Sequence, residues 1–315
     1  MHRTNKGQAI PGVDVSAQVV NCFRAKYPNI SLDKFAHLWV TEPAEKLANC
    51  YLEKVGETED LTHCLRHRFF LESLQEFSVA AKNRVFINIG AGFTNYPHLL
   101  NTQIRCCEVD KPSIIKEKQQ RLQQLQASQQ LPDREILFIP TEDLNNPNKR
   151  KKLFNSLSKW VGSCQSFVLI EGGVYWLSQE STNSLFKHLQ RIQTAGSLLA
   201  VNAFKPREAS KAIFQRLRSF SEDDYCIKNF SPNTLNERFH EHLAGYELIK
   251  CANYINLSKQ ANEAMALDDQ ESALEEDCYL LRKLMRQQID NHPKLNRDAA
   301  AFLNAINPQT GGVEN

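Results

Sequence analysis

Apolar residues change their spacing along the chain near residue 82. Before that point they recur at the spacing of amphipathic helices, and after it short apolar runs alternate with helical segments. The first part therefore predicts an N-terminal helical cap over residues 1–81, and the second part a sheet domain over residues 82–315. The predicted helices of the cap are Val15–Tyr27, Asp33–Val40, Pro43–Val55 and Glu59–Ala81.

Five strands are predicted at the start of the sheet domain, with helices between them. Such alternation is typical of an α/β fold, in which an open, mostly parallel sheet carries helices on both faces. The predicted strands are Val85–Ile89, Arg105–Val109, Ile136–Ile139, Phe167–Ile170 and Leu198–Ala203, and the predicted helices between them are Tyr96–Gln103, Pro112–Gln129, Pro147–Trp160 and Gln179–Thr194.

The last third of the chain departs from this alternation. A helical insertion is predicted at about residues 205–243, and Thr234–Leu243 is expected to be one of its helices. Strand composition returns at Tyr246–Ile255, whereas Leu257–Gln270 fits either a connecting loop or a short helix. Glu276–Leu284 permits a helix by its Leu and Lys content, but it would also serve as a last strand.

A glycine-rich turn follows the first predicted strand, in the run Ile89-Gly90-Ala91-Gly92. Glycines at such a turn let the backbone bend tightly and let a ligand approach where a Cβ would obstruct it. A strand, a glycine-rich turn and a helix form the first unit of a nucleotide-type cofactor fold. Two glycines alone also fit a plain structural turn, so the later strand ends decide between the two interpretations.

Acidic residues follow the next strands of the predicted sheet. Ligands of open α/β sheets bind outside the carboxyl ends of the strands. Asp110 ends the second strand, where its carboxylate can accept hydrogen bonds from ribose hydroxyls. Asp143 and Leu144 follow the third strand and suit an exocyclic amine and a ring, and Glu171 ends the fourth strand. An acidic rim of this kind favours a ligand with ribose and adenine but without phosphate.

Overall composition narrows the class of protein. The net charge of +2 gives no reason to expect a nucleic-acid partner or an anionic membrane surface. Nine cysteines without a CxxC motif predict reduced thiols in a cytoplasmic protein. The expected partner is a small-molecule acceptor, no metal is expected, and the chain is expected to act as a monomer or homodimer.

Five segments together resemble one family: Asp33–Val40, Leu65–Phe70, Ile87–Gly92, Cys107–Pro112 and Glu171–Leu177. They resemble the motifs of the leucine carboxyl methyltransferase-like family of S-adenosylmethionine-dependent methyltransferases, in which Asp33–Val40 would match the N-terminal cap. The resemblance implies a class I methyltransferase fold, which is Rossmann-like, and it implies that Glu276–Leu284 is the last strand.

The resemblance also implies how S-adenosylmethionine would be held. Gly90 would lie against its methionine part, Asp110 would hold the ribose, and Arg66 would pair with the carboxylate through a two-pronged contact that lysine could not copy. Tyr175 and Trp176 would form the floor of the acceptor pocket. The implied cofactor-binding residues are Arg66, Gly90, Asp110, Asp143, Leu144 and Glu171.

The sequence departs from the family pattern at three places, one of which is Trp176, where a tyrosine is common. Thr94-Asn95-Tyr96 stands where the family usually has an Asp-Thr-Arg-like run. The basic residue that often assists with the cofactor carboxylate falls near Cys22, and Arg24 or Lys26 is the expected substitute. Cofactor binding is still expected, but the usual acceptor of the family does not follow.

The expected function is O-methylation of a carboxylate or hydroxyl on a small molecule, such as a secondary metabolite. A carboxylate acceptor needs no general base, whereas a hydroxyl acceptor does. The alternatives are methylation of a protein C-terminal carboxylate, cofactor binding without catalysis, and a nicotinamide-dependent oxidoreductase. This sequence lacks the third glycine of the dinucleotide-binding motif that is usual in the last of these classes. By residue type alone, the candidate bases are His98, His188, His240 and His242.

Overall fold

Seven strands form one sheet in the computed structural model of the protein, which describes residues 15–80, 82–225, 227, 230–236, 238–261 and 273–285. The strand order is β3-β2-β1-β4-β5-β7-β6; β1 to β5 run parallel, and β7 pairs antiparallel with both β5 and β6. The strands are β1 Arg84–Ile89, β2 Arg105–Asp110, β3 Ile136–Pro140, β4 Gln165–Ile170, β5 Leu198–Phe204, β6 Tyr246–Asn253 and β7 Glu276–Lys283.

The centre of the sheet is apolar on both faces. The β1 residues Val85–Ile87 are fully buried, because helices cover the sheet on both sides. Successive strands are added on opposite sides of the β1–β4 pair, so the strand order reverses there. A reversal of this kind opens a crevice at the carboxyl ends of the two strands, which is where open α/β sheets bind ligands. The α/β fold predicted from the sequence is confirmed, including β7 as the last strand.

Ten helices are present in the described part of the chain. Polar side chains begin four of them: Thr41, Asn146, Ser178 and Asn253 each accept a hydrogen bond from a backbone N–H of the first turn. The helices are α1 Val15–Lys26, α2 Pro28–Ser31, α3 Glu42–Lys54, α4 Glu59–Val79, α5 Tyr96–Leu99, α6 Pro112–Ala127, α7 Pro147–Val161, α8 Gln179–Ile192, α9 Ala212–Asp223 and α10 Tyr254–Gln260. None of them is both long enough and apolar enough to span a bilayer.

Three predicted helices are wrong in extent, and one of them, Tyr96–Gln103, ends at Leu99 because Leu100 is extended. Asp33–Val40 contains only a 3₁₀ turn at Ala36–Trp39, because the Asp33 side chain accepts a hydrogen bond from the N–H of Phe35 and so favours a turn. Thr234–Leu243 contains only a 3₁₀ turn at Phe239–His242. Its first residues lie extended beside β5, where the N–H of Leu235 donates to the carbonyl of Phe204 at 3.0 Å. Pairing with the end of β5 therefore replaces the predicted helix.

The helices before β1 pack onto two faces of the sheet. Val19 and Phe23 of α1 join a core that contains the ends of β1, β2 and β4. Leu65 and Phe70 of α4 join a second core on the other face. Helices α1 and α4 thereby bring their polar side chains to the crevice between β1 and β4.

Candidate functional site

A single cavity of about 530 Å³ lies at the carboxyl ends of β1, β2 and β4. This volume is in the range of small-molecule binding sites. The residues directly after the parallel strands, together with Arg24 of α1 and Arg66 of α4, which contact Glu171, form one end of the cavity. Tyr175 and Trp176, the lining residues of α3 and α9, and those that follow β5 form the other end, where His63 of α4 contacts Tyr51.

Two glycines shape the first end of the cavity. Gly90 has φ +76°, which glycine adopts without steric cost, and its N–H donates to the carbonyl of Val109 at 2.8 Å. A Cβ on Gly90 would meet nothing closer than Gly173 Cα at 4.0 Å, so this space is open. A Cβ on Gly173 would lie 2.8 Å from Ile170 Cγ2, which excludes a side chain there. The turn predicted from the sequence therefore opens onto a cavity.

Asp110 is held in one rotamer by backbone donors on both sides. Its Oδ2 accepts from the N–H of Gly92 at 2.6 Å, and its Oδ1 accepts from the N–H of Lys111 at 2.7 Å. Each carboxylate oxygen has a further lone pair. Asp110 lines the cavity, so it can also accept from a ligand hydroxyl there.

Asp143 and Leu144 lie at the rim of the same end. The Asp143 side chain is exposed and accepts from the N–H of Asn145 at 2.8 Å, while Leu144 is partly buried against the core. Both residues line the cavity. Their assigned contacts with an adenine ring remain predictions.

Glu171 at the end of β4 is the centre of a buried charge cluster. Its Oε1 accepts from Nε of Arg66 at 3.1 Å and from Nη2 of Arg24 at 3.5 Å, and its Oε2 accepts from the Tyr96 hydroxyl at 2.7 Å. Burial alone would raise the pKa of Glu171, but the two guanidinium groups outweigh it and lower the pKa to about 2. Glu171 is therefore an anion that positions both arginines.

Arg66 is also bound from its other side. Its Nη1 donates to both carboxylate oxygens of Glu276, at 3.1 and 2.8 Å. Asn202 donates to Glu276 at 2.8 Å and to the hydroxyl of Tyr175. Arg66 thus contacts two carboxylates, and only its Nη2 has no hydrogen-bond partner among the described residues.

Arg24 is the cation with spare donors at the site. It is almost completely buried, and both Nε and Nη1 have no hydrogen-bond partner among the described residues. Arg24 lines the cavity, so a ligand carboxylate there would lie beside a buried cation, and a small shift of the side chain would give Nε or Nη1 a partner. Lys26, the other substitute expected from the sequence, instead pairs with Asp60 at 2.6 Å and lies outside the cavity lining. The residues therefore fit a small molecule that carries a carboxylate.

The departure from the family motif after Gly92 has a structural role. Thr94 accepts from the Asn88 amide at 3.0 Å, and Asn95 donates to both carboxylate oxygens of Asp33. The Tyr96 hydroxyl contributes a donor to Glu171. The run connects the turn after β1 to the helices that precede the sheet.

The other end of the cavity is mainly aromatic. Tyr175 stacks on Phe204 with ring centroids 4.2 Å apart, and Trp176, 40% exposed, packs on Phe230 at 4.6 Å. Tyr51 from α3 lines the same end. The structure brings Tyr175 and Trp176 to the cavity wall, and their contact with an acceptor stays a prediction.

His63 lines this second end, and sequence reasoning missed it. It is the one histidine among the described lining residues. His98 instead bonds to the carbonyl of Pro132, and His188 stacks on Phe154; neither lines the cavity. His240 also lies outside the lining, and the His242 side chain is outside the described residues. The signal for His63 was its position one helical turn before Arg66, which puts both side chains on one face.

The parallel sheet with antiparallel β7 between β5 and β6, and a cavity where the strand order reverses, define a class I methyltransferase fold. Within that class the chain belongs to the leucine carboxyl methyltransferase family, whose model matches residues 31–190. It is therefore a methyltransferase of the S-adenosylmethionine-dependent class.

Two solved structures share the fold. A DUF574 family protein from Streptomyces avermitilis is 13% identical, with a TM-score of 0.57 over 85% of this chain and 97% of that chain. A candidate methyltransferase from Thermobifida fusca is 14% identical, with a TM-score of 0.55 over 89% of this chain and 100% of that chain. A comparison with curated proteins gave no match.

Proposed function

We propose that this protein transfers a methyl group from S-adenosylmethionine to an oxygen of a small-molecule acceptor, either a carboxylate or a hydroxyl. One observation carries the proposal: a single cavity joins a polar end with unpartnered buried donors to an aromatic end. A charged cofactor suits the first end, and an apolar acceptor suits the second.

The cofactor would be held by residues of β1, β2, β4 and the first helices. Arg24, with Nη2 of Arg66, would receive its carboxylate, and Glu171 would keep both guanidinium groups in place. Asp110 would accept from the ribose hydroxyls, and the open space at Gly90 would admit the methionine part. Asp143 and Leu144 would contact the adenine.

The cofactor supplies a methyl group on a positively charged sulfur, which is a good leaving group. The protein then has to align the acceptor and exclude water. Tyr175, Phe204 and Leu217 line the second end, so they would orient an apolar acceptor and keep it dry. A carboxylate acceptor is ionised at neutral pH and needs no further help, whereas a hydroxyl needs a proton acceptor.

Calorimetry with S-adenosylmethionine and the Arg24→Gln variant tests the cofactor part. We expect the wild-type protein to bind, and we expect the variant to bind at least about tenfold more weakly because it loses charge-assisted hydrogen bonds. Lys46→Gln is the control, since Lys46 lies on α3 outside the cavity lining and forms an exposed ion pair with Glu42. Absence of binding to the wild-type protein would reject the proposal.

Incubation with methyl-labelled cofactor and fractionated cell extract tests the transfer. Label in a small-molecule fraction supports the proposed acceptor class. Label in protein would indicate the alternative, a protein carboxyl methyltransferase. Binding without transfer to any fraction would indicate a protein that binds the cofactor and has no catalytic activity.

A further inference from the structure

A hydrogen bond to a backbone carbonyl fixes the tautomer of His63. Its Nδ1 lies 2.7 Å from the carbonyl oxygen of Glu59 in the preceding turn of α4. A carbonyl oxygen can only accept, so Nδ1 carries the proton, and Nε2 therefore presents a lone pair.

The free nitrogen of His63 is accessible from the cavity. The side chain is 13% exposed and lines the second end of the cavity. Nε2 has no hydrogen-bond partner among the described residues, and it is not completely buried. The ring is fixed by Phe23, whose centroid lies 5.3 Å away in an edge-on arrangement, and by Tyr51 at 6.4 Å. The structure thus places an unpartnered nitrogen of a ring held by aromatic contacts on a side chain that lines the cavity.

Burial and a nearby cation keep the imidazole of His63 neutral. Burial is the main cause and the Arg66 cation adds to it, lowering the pKa of His63 to about 4 against the opposing effect of Glu276. Burial also raises the pKa of the neighbouring Glu59 carboxyl to about 8, so Glu59 is uncharged near neutral pH. The imidazole is therefore available to accept a proton throughout the physiological range.

The same end of the cavity is poorly suited to a carboxylate acceptor. Arg66 is already bound to Glu171 and Glu276, and the spare donors of Arg24 are assigned to the cofactor by the proposed function. Burying a carboxylate without a cation or several donors is strongly unfavourable. A neutral hydroxyl on an aromatic ring meets no such penalty, and aromatic side chains favour contact with a ring.

We propose that the acceptor is a neutral phenolic hydroxyl, and that Nε2 of His63 takes its proton during methyl transfer. This inference rests on the proposed function. The acceptor oxygen bonds to the methyl carbon, the electron pair of the broken carbon–sulfur bond stays on sulfur, and the hydroxyl proton moves to Nε2. The hydroxyl becomes far more acidic as its oxygen gains the methyl group, so a neutral imidazole suffices as the base. Glu276 and Glu171 partly offset the charge of Arg66 while the imidazolium exists, and its low pKa returns the proton to water.

The chemical stability of the labelled product tests the acceptor class without any variant. Full-length protein is incubated with methyl-labelled cofactor and fractionated extract of its source, and the product is treated with mild base. An aryl methyl ether keeps the label, whereas a methyl ester releases it as methanol. We expect a base-stable product. A base-labile product would overturn this inference and leave O-methylation standing, and cofactor binding with no product would overturn both.

The His63→Gln variant and the matched control His188→Gln test the base. His188 stacks on Phe154 away from the cavity, so its variant should keep the wild-type rate. His63→Gln should lose about a hundredfold or more in turnover, while calorimetry finds the cofactor affinity unchanged within about twofold. An unchanged rate, or an equal loss in both variants, would contradict the role of His63.

Nitrogen-15 NMR of histidine-labelled protein reads the protonation form directly, even if the variant is inactive for another reason. At neutral pH, without ligand, we expect the His63 signals of a neutral ring protonated on Nδ1. A ring protonated on Nε2, or a charged ring, would overturn the proposal.

Discussion

Nε of Arg66 donates a hydrogen bond to Oε1 of Glu171 at 3.1 Å, and this pair joins helix α4 to the carboxyl end of β4. Both side chains are buried, and Nη1 of the same guanidinium reaches Glu276 at the start of β7. One planar cation therefore ties together three elements that are far apart in the sequence.

Arg66→Lys should be strongly destabilising, because an ammonium cannot reach both carboxylates in this geometry. Leaving a buried carboxylate without its partner costs about 3–5 kcal/mol, and we expect a loss of this order in urea unfolding. The control is Arg68→Lys on the same helix, where the partly exposed Arg68 pairs with Glu72. We expect that change to cost less than about 0.5 kcal/mol. Equal losses of unfolding free energy in the two variants would show that the buried contacts of Arg66 stabilise the protein no more than the surface pair of Arg68.

Gly90→Ala should separate backbone strain from loss of cofactor space. Its φ of +76° is costly for alanine, and Gly162, with φ +58° and no atom near its Cβ position, matches it away from the cavity. Both alanine variants should lose stability, by about 1 kcal/mol or more. Only Gly90→Ala should weaken S-adenosylmethionine binding in calorimetry. Full affinity in Gly90→Ala would show that the cofactor does not use this space.

Glu59 predicts an unusual pH dependence of stability. Burial is the main cause that raises its pKa from 4.5 to about 8. Between these values the unfolded chain releases the proton and the folded chain keeps it, so the folded state binds more protons. Its contribution to stability is full below about pH 4.5 and is lost as the pH rises to about 8.

Glu59→Gln should remove this dependence, because glutamine resembles the protonated carboxyl and does not titrate. Urea unfolding of both proteins at several pH values measures it. We expect the wild-type protein to lose on the order of a few kcal/mol relative to the variant as the pH rises through that window. Parallel curves for the two proteins would contradict a raised pKa at Glu59.

The positions of the strands could be predicted from the sequence. Val85–Ile89 and Phe167–Ile170 are short apolar runs ended by polar or glycine residues, and both are strands within one or two residues of the predicted bounds. Fully buried parallel strands leave this signature because both faces must be apolar. The helix predicted at Thr234–Leu243 was wrong because the first residues of this segment pair with the end of β5. Such a long-range contact leaves no periodic pattern in the sequence.

The site was predicted better at the strand ends than on the helices. Asp110 and Glu171 follow strands directly, so topology alone puts them at one edge of the sheet. Arg24 and His63 depend on how α1 and α4 are oriented over that edge, which helical spacing does not specify. The contact of Arg66 with Glu276 could not be predicted either, since Glu276 lies 210 residues further along the chain.

Asp110→Asn should weaken S-adenosylmethionine binding more than Asp143→Asn does. Asp110 lines the cavity with its rotamer fixed by the N–H groups of Gly92 and Lys111, and an amide there can accept through only one atom. Loss of hydrogen bonds to a charged group costs about 1.5–3 kcal/mol, which is roughly a tenfold to hundredfold loss of affinity. Asp143 is exposed at the rim, so water compensates for its change and the loss should stay below about tenfold. Calorimetry measures the S-adenosylmethionine affinity of both variants. An Asp110→Asn protein that binds as tightly as the wild type would refute the assignment of the ribose contact.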